Sequence, residues 1–249
     1  MKRLLSEGAP DIYYLGHVFR EEPQGRLHSP EFLMAEWYRI GYTFSEMIEE
    51  TADFTRLFLG NVHLRTVTYK EAFLSFCFFD PFEISLQTLL EKAKAIESFS
   101  HLPLVSFSKD DLLTLFLTEF VEPSFEKETL TALIHYPKSQ AALAKTVRQG
   151  TDEVAERFEL FFQQIELANG YHELTNPDEQ EKRLLEEQEK RILLGKDPLV
   201  LDQEFIKALK KGLPDCSGVA VGVDRLIMLE QKAPSLSSIQ PIPFHGPLV

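Results

Sequence analysis

The chain has 249 residues, 44% of them hydrophobic and 26% charged, the proportions of a folded globular protein that buries one full-sized core. A formal net charge of −13, from 39 acidic against 26 basic residues, removes the basic footprint of a broad nucleic-acid surface and suits a partner that presents lysines. No stretch resembles a membrane span, Met1 to Pro10 lacks the apolar run of a signal peptide, and Cys77 with Cys216 is too few for a metal cluster, so a cytoplasmic protein is expected.

Ile12 to Arg20 is rich in β-branched and aromatic residues, and the polar stretch Glu21 to Pro30 separates it from Phe32 to Tyr38, which predicts two strands around a long loop. Alternation along the second strand puts Phe32, Met34, Glu36 and Tyr38 on one face and Leu33, Ala35 and Trp37 on the other. The same rule places Arg20 and Glu22 together. A buried carboxylate beside aromatics needs a cationic or amide partner, so Glu36 implies either a bound amino acid or a structural arginine pair.

Ser45 is expected to cap a helix running to about Leu59, with Met47, Ile48, Phe54, Leu57 and Phe58 on its apolar face. Helices are also predicted over residues 69–78, 85–97 and 109–121, a region without recognisable chemistry. Strands follow at Leu130 to His135, Phe158 to Ala168 and Tyr171 to Leu174, the last two joined by a turn at Asn169-Gly170. Residues 177–194 read as a solvated helix and Asp202 to Lys211 as a second. Ser217 to Leu226 reads as a small-residue strand entering a helix that closes near Glu230. Strands interrupted by helices, without βαβ alternation, predict an α+β class with an antiparallel sheet of about six strands. One domain over residues 1–240 and a loose tail over 241–249 are expected.

Two further groups of residues carry chemistry. Glu166 and Glu173 flank Asn169-Gly170, and paired acids there suit magnesium, which takes a few carboxylate oxygens and completes its shell with water and phosphate; a solvated acidic pair is the plain alternative. Gly218 and Gly222, with Arg225 three residues on, would let a ligand approach the backbone. Ala220 breaks the dinucleotide-binding pattern, which leaves Arg225 to grip a terminal phosphate or to make a surface ion pair.

Phe19-Arg20-Glu21-Glu22 with Arg26-Leu27-His28-Ser29-Pro30-Glu31-Phe32, then Glu166 to Leu174, then Gly218 to Leu226, resemble in order motif 2, the substrate strand and motif 3 of the class II lysyl-tRNA synthetase family. The similarity extends from Met1-Lys2-Arg3-Leu4-Leu5 to the motif 3 helix, so motif 1 and the Ser-Pro-Glu loop that precede this point in the family have no counterpart in these residues. Glu36-Trp37-Tyr38, Ile165 to Gly170 and Pro214 to Ala220 are most similar to the paralogues that lack the anticodon-binding domain and attach a lysine-type amino acid to elongation factor P. The resemblance implies the class II synthetase fold, ATP and magnesium as cofactors, and catalytic roles for Arg20 and Arg225. It assigns Arg20, Glu21, Glu22, His28, Ser29, Phe32, Glu166, Leu167, Gly222 and Arg225 to ATP. Phe32 would stack on adenine, Glu22 would meet its amino group, and Arg20 and Arg225 would hold the α- and γ-phosphates. Glu36, Tyr38, Asn169, Glu173 and Ala220 are assigned to the amino acid, and Glu166 with Glu173 to magnesium or the substrate amines. Ala220, where the synthetases carry glycine, favours the protein-modifying branch, as does the absence of an oligonucleotide-binding domain. A lysyl-tRNA synthetase core that charges tRNA and an inactive ATP-binding paralogue stay open, as does a homodimer.

Overall fold

The computed structural model describes residues 1–21, 23–193, 195, 197 and 201–242. In chain order the elements are α1 (Lys2–Ser6), β1 (Ile12–Phe19), β2 (Glu31–Ile40), α2 (Phe44–Leu59), β3 (His63–Thr68), α3 (Tyr69–Phe76), α4 (Leu86–Lys94) and α5 (Lys109–Phe116). They continue as β4 (Thr129–Pro137), β5 (Thr146–Gln149), β6 (Asp152–Phe162), β7 (Ile165–His172), α6 (Pro177–Leu193), α7 (Gln203–Lys211), β8 (Cys216–Gly222) and α8 (Val223–Glu230). The chain forms two compact units, one of residues 1–61, 142–145 and 167 onward, the other of 62–141 and 146–166. Among the described residues no helix is long and apolar enough to cross a membrane.

In the first unit β1, β2, β8 and β7 pair in that order, all antiparallel. Helix α2 covers one face, where the Trp37 ring lies 5.2 Å from Phe54 and its indole nitrogen donates to Glu50 at 3.0 Å. The predicted apolar face of β2 is therefore the one that packs beneath a helix. Thr43 caps α2, not Ser45: its hydroxyl accepts from the Glu46 amide at 3.2 Å, and the Glu46 carboxylate accepts from the Thr43 amide at 2.8 Å. That reciprocal pair starts the helix before Ser45 and leaves the serine inside the first turn.

The second unit is held by interlocked rings: Tyr69 stacks on Phe73 at 4.5 Å, Phe73 meets Phe79 at 5.6 Å, and Phe79 meets Phe116 edge-on at 5.2 Å. Its strands β4 and β5 pair antiparallel with β6, whereas β3 runs parallel to β4. A parallel neighbour needs a crossover connection, and α3 to α5 supply it. The α+β class with a mostly antiparallel sheet is as expected, and β3 and β5 add to the expected strands because they are too short and too polar to register in sequence. The turn expected at Asn169-Gly170 is corrected. Gln163 and Gln164, at φ 49° and 64°, make the bend between β6 and β7, and Asn169-Gly170 lies within β7 opposite Ala220 and Val219. Ladder pairing in a central strand outweighs the local turn preference of Asn-Gly. Of the expected tail, residues 243–249 lie outside the described residues; Leu236 before it is buried and its amide donates to the Arg26 carbonyl at 3.0 Å.

Candidate active site

Register across the first unit aligns the predicted residues in rows. Glu36 of β2 lies opposite Tyr14 of β1 and Ala220 of β8, and Ala220 opposite Asn169 of β7. The next row is Ile12, Tyr38, Gly218 and Tyr171, and on the other side Met34 faces Gly222. Directly paired residues share a face, so Glu36, Tyr38, Ala220 and Asn169 project to the side opposite α2.

One end of this face is acidic. Tyr38 Oη donates to Glu36 Oε1 at 2.7 Å, and burial, then the Glu173 and Glu36 charges, push the phenol above its ordinary range, so it stays a donor. Glu173, just past β7, is 1% exposed and its amide donates to the Cys216 carbonyl at 3.0 Å. Its carboxylate is ion-paired with the Lys2 ammonium from α1. Burial raises the Glu173 carboxyl, Lys2 opposes that rise, and Glu36 adds to it. The aromatic ring of Tyr38 runs across Gly218, where a Cβ would come within 2.5 Å of Cδ1 and Cε1 and 3.0 Å of Glu173 Oε1. Gly218 is thus glycine to admit the protein's own tyrosine, a different reason from the ligand approach expected in sequence.

The other end is cationic. Gly222 is the residue before α8, and the nearest atoms to a Cβ there would be Arg225 Cδ at 3.7 Å and the Leu167 carbonyl at 3.8 Å, so the backbone is approachable. Arg225, in the first turn of α8, donates to the Leu27 carbonyl at 3.3 and 3.2 Å and lies 3.3 Å from His28 Nε2. Arg20 sits with its guanidinium 5.6 Å from the centre of the Phe32 ring, the ring expected to stack on adenine. Its amide donates to the Pro30 carbonyl at 2.9 Å, which closes the loop's base. Ser29 is 4% exposed, with no hydrogen-bond partner for its hydroxyl among the described residues. From Gly218 to Gly222 the strand advances about 13 Å, at roughly 3.3 Å per residue. Glu36 and Glu173 thus lie toward one end of this face, and Arg20 and Arg225 toward the other.

Residues 1–245 match the family of class II tRNA synthetases (D, K and N). The chain belongs to the class II tRNA synthetases. Among its relatives, the elongation factor P (R)-β-lysine ligase of Yersinia enterocolitica is 42% identical over 243 residues, 98% of this chain and 74% of that protein. The ligase of the same name from Photorhabdus laumondii is 41% identical over 239 residues, 96% and 73% of the two chains. That of Yersinia pestis strain Pestoides F is 42% identical over 245 residues, 98% and 75%. Like its relatives, this class II synthetase is an ATP-dependent ligase.

The remaining expected residues of the synthetase site fall as follows. Glu21 is exposed in the loop after β1, Leu167 is buried on β7, and Glu166, half-buried on the same strand, belongs to the second unit. Glu22 lies outside the described residues. Among the described residues no three His, Cys, Asp or Glu side chains gather as a metal cluster. Sequence reasoning overlooked Lys2 as a site residue. Its signal was weak but present: Lys2 shares a helix face with Leu5 three residues on, and Leu5 is 2% exposed.

Proposed function

We propose that this class II synthetase activates lysine or (R)-β-lysine with ATP and transfers it to a lysine ε-amine of elongation factor P. The observation that carries the reading is the polarised strip: Glu36, Tyr38 and Glu173 at one end, Arg20, His28 and Arg225 at the other, on one face of one sheet. The relatives' name supplies the acceptor, and the −13 net charge supports a lysine-bearing protein over a phosphate backbone.

In this reading the substrate amine lies toward Glu36 and Tyr38, and its carboxylate points along the strip toward ATP. Asn169 and Ala220, directly opposite each other, flank the amino acid's stem. A carboxylate oxygen bonds to the α-phosphorus as the bond to pyrophosphate breaks, and Arg20 and Arg225 offset the charge that accumulates on the phosphates. The acceptor amine then forms an amide with the activated carbonyl, AMP leaves, and one proton is released. No side chain of the enzyme acts as a nucleophile, so positioning and electrostatics provide the rate.

Ser29 offers its unpartnered hydroxyl to phosphate, and the open backbone at Gly222 accommodates the nucleotide. Magnesium, when bound, would neutralise the phosphates, whose oxygens together with water supply most of the donors it takes. Glu173, already paired with Lys2, is assigned to the amine side. Residues 1–240 constitute the catalytic domain in this proposal. The test is to mix the purified protein with ATP, labelled lysine or (R)-β-lysine, and either elongation factor P or tRNA. Label on elongation factor P is expected, and label on tRNA alone rejects the acceptor.

A further inference from the structure

Lys2 is placed where the proposed amino-acid pocket would otherwise hold two uncompensated acids. Its side chain is 11% exposed and its ammonium meets Glu173 Oε2, while Glu173 Oε1 faces the backbone at Gly218 beside the Tyr38 ring. One carboxylate thus has its two oxygens divided, one to a resident lysine and one to the pocket floor. A carboxylate with 1% exposure is costly to bury unpaired, and the ammonium offsets that cost.

Lys2 is also a fixture and not a loose end. Leu5, on the same face of α1, is buried in a cluster with Tyr38, Ile206, Leu209, Leu213 and Cys216, against which Met1 and Ile12 also pack. Leu5 in that cluster fixes α1, and with it the backbone from which the Lys2 side chain reaches Glu173. The groups that face Glu173 are Lys2 from α1, Glu36 and Tyr38 from β2, Cys216 from β8, and His172 beside it in sequence. Two carboxyl groups, Glu36 and Glu173, thus share one lysine, which contacts Glu173, while the contact of Glu36 is with the Tyr38 phenol.

We infer that Lys2 is a positioning residue of the amino-acid pocket: it pairs with one oxygen of Glu173 and holds the carboxylate turned toward Gly218, and leaves Glu36 as the acid that meets a substrate ammonium. The pocket therefore matches one side-chain ammonium and not two. This rests on the amino-acid activation proposed above, and assigns its acids separate tasks.

The experiment compares the wild type, Lys2→Met and Lys2→Arg in pyrophosphate exchange driven by lysine or (R)-β-lysine, with KM measured for the amino acid and for ATP. Methionine keeps the stem and removes the charge; arginine keeps the charge. The expected result is an amino-acid KM raised about tenfold or more in Lys2→Met, an ATP KM within about twofold, and recovery of most of the loss in Lys2→Arg. An unmoved amino-acid KM, equal rises in both KM values, or an arginine variant as weak as the methionine one would overturn the role. Should Lys2→Met fail to fold, the double variant Lys2→Met, Glu173→Gln removes both charges. Because Lys2 acts through Glu173, its KM is expected to equal that of Glu173→Gln alone, and a further rise would refute the inference. Exchange absent in the wild type with both amino acids would instead remove the activation reading and this inference with it.

Discussion

The Tyr38 ring crosses Gly218 so closely that an added methyl would stand 2.5 Å from two of its carbons. Tyr38 is 7% exposed and hydrogen-bonded to Glu36, so it cannot swing aside without breaking that contact. Gly218→Ala is therefore expected to cost about 1–3 kcal/mol of stability by overpacking. It should also raise the amino-acid KM more than the ATP KM. Urea unfolding with steady-state kinetics checks both, and a variant with wild-type values in each would show that the ring yields freely.

Arg225, in the first turn of α8, donates to the Leu27 carbonyl and approaches His28 Nε2, which holds its guanidinium beside the open backbone at Gly222. Replacing it by alanine should weaken ATP binding by about 10- to 100-fold, as expected for loss of a charge-assisted hydrogen bond worth about 1.5–3 kcal/mol. Calorimetric titration with ATP measures this, and unchanged affinity would return Arg225 to a loop-fastening role.

Ala220 stands between Glu36 and Asn169 in one row of the sheet. Its methyl occupies the floor on which the amino acid's stem is proposed to lie. Ala220→Gly should shift the ratio of kcat/KM toward α-lysine over (R)-β-lysine by about tenfold, the size of a one-carbon pocket effect. If the ratio holds, selectivity is set elsewhere in the pocket.

A pH effect is expected away from the site. Burial first, and then the Glu159 charge, push the Glu122 carboxyl up to about 7, against an ordinary glutamate value of about 4.3. The folded state then binds this proton more tightly than the unfolded one, so the contribution is fully present below the unfolded value and is lost as pH rises through about 7. Glu122→Gln should raise the unfolding temperature relative to wild type above that pH, with the difference shrinking toward about pH 5. Thermal melts of both proteins across this range test it; a difference that does not change with pH would show that Glu122 is not buried as a neutral acid.

Much of the strip was legible because its information is periodic. Alternation in Phe32 to Tyr38 correctly separated the α2-facing side from the side that carries Glu36 and Tyr38, and the small residues from Ser217 to Gly222 announced a close-packed strand. Asn169-Gly170 misled for the opposite reason: its turn preference is local, and three-dimensional pairing with Val219 and Ala220 outweighs it. The rings of the second unit, such as Phe73, Phe79 and Phe116, gave helical patterns but no chemistry, since they serve packing.

Local periodicity in the sequence determined the strand faces, most of the helices and the order of the motif residues, because these depend on neighbours a few positions apart. Only the tertiary structure could decide that Lys2 neutralises Glu173, that Tyr38 lies on Gly218 and that Arg225 fastens Leu27. Each of these joins residues more than 150 positions apart in the chain, and a side chain's partner at such separation is set by how the sheet and helices pack, a property that no single stretch of sequence contains.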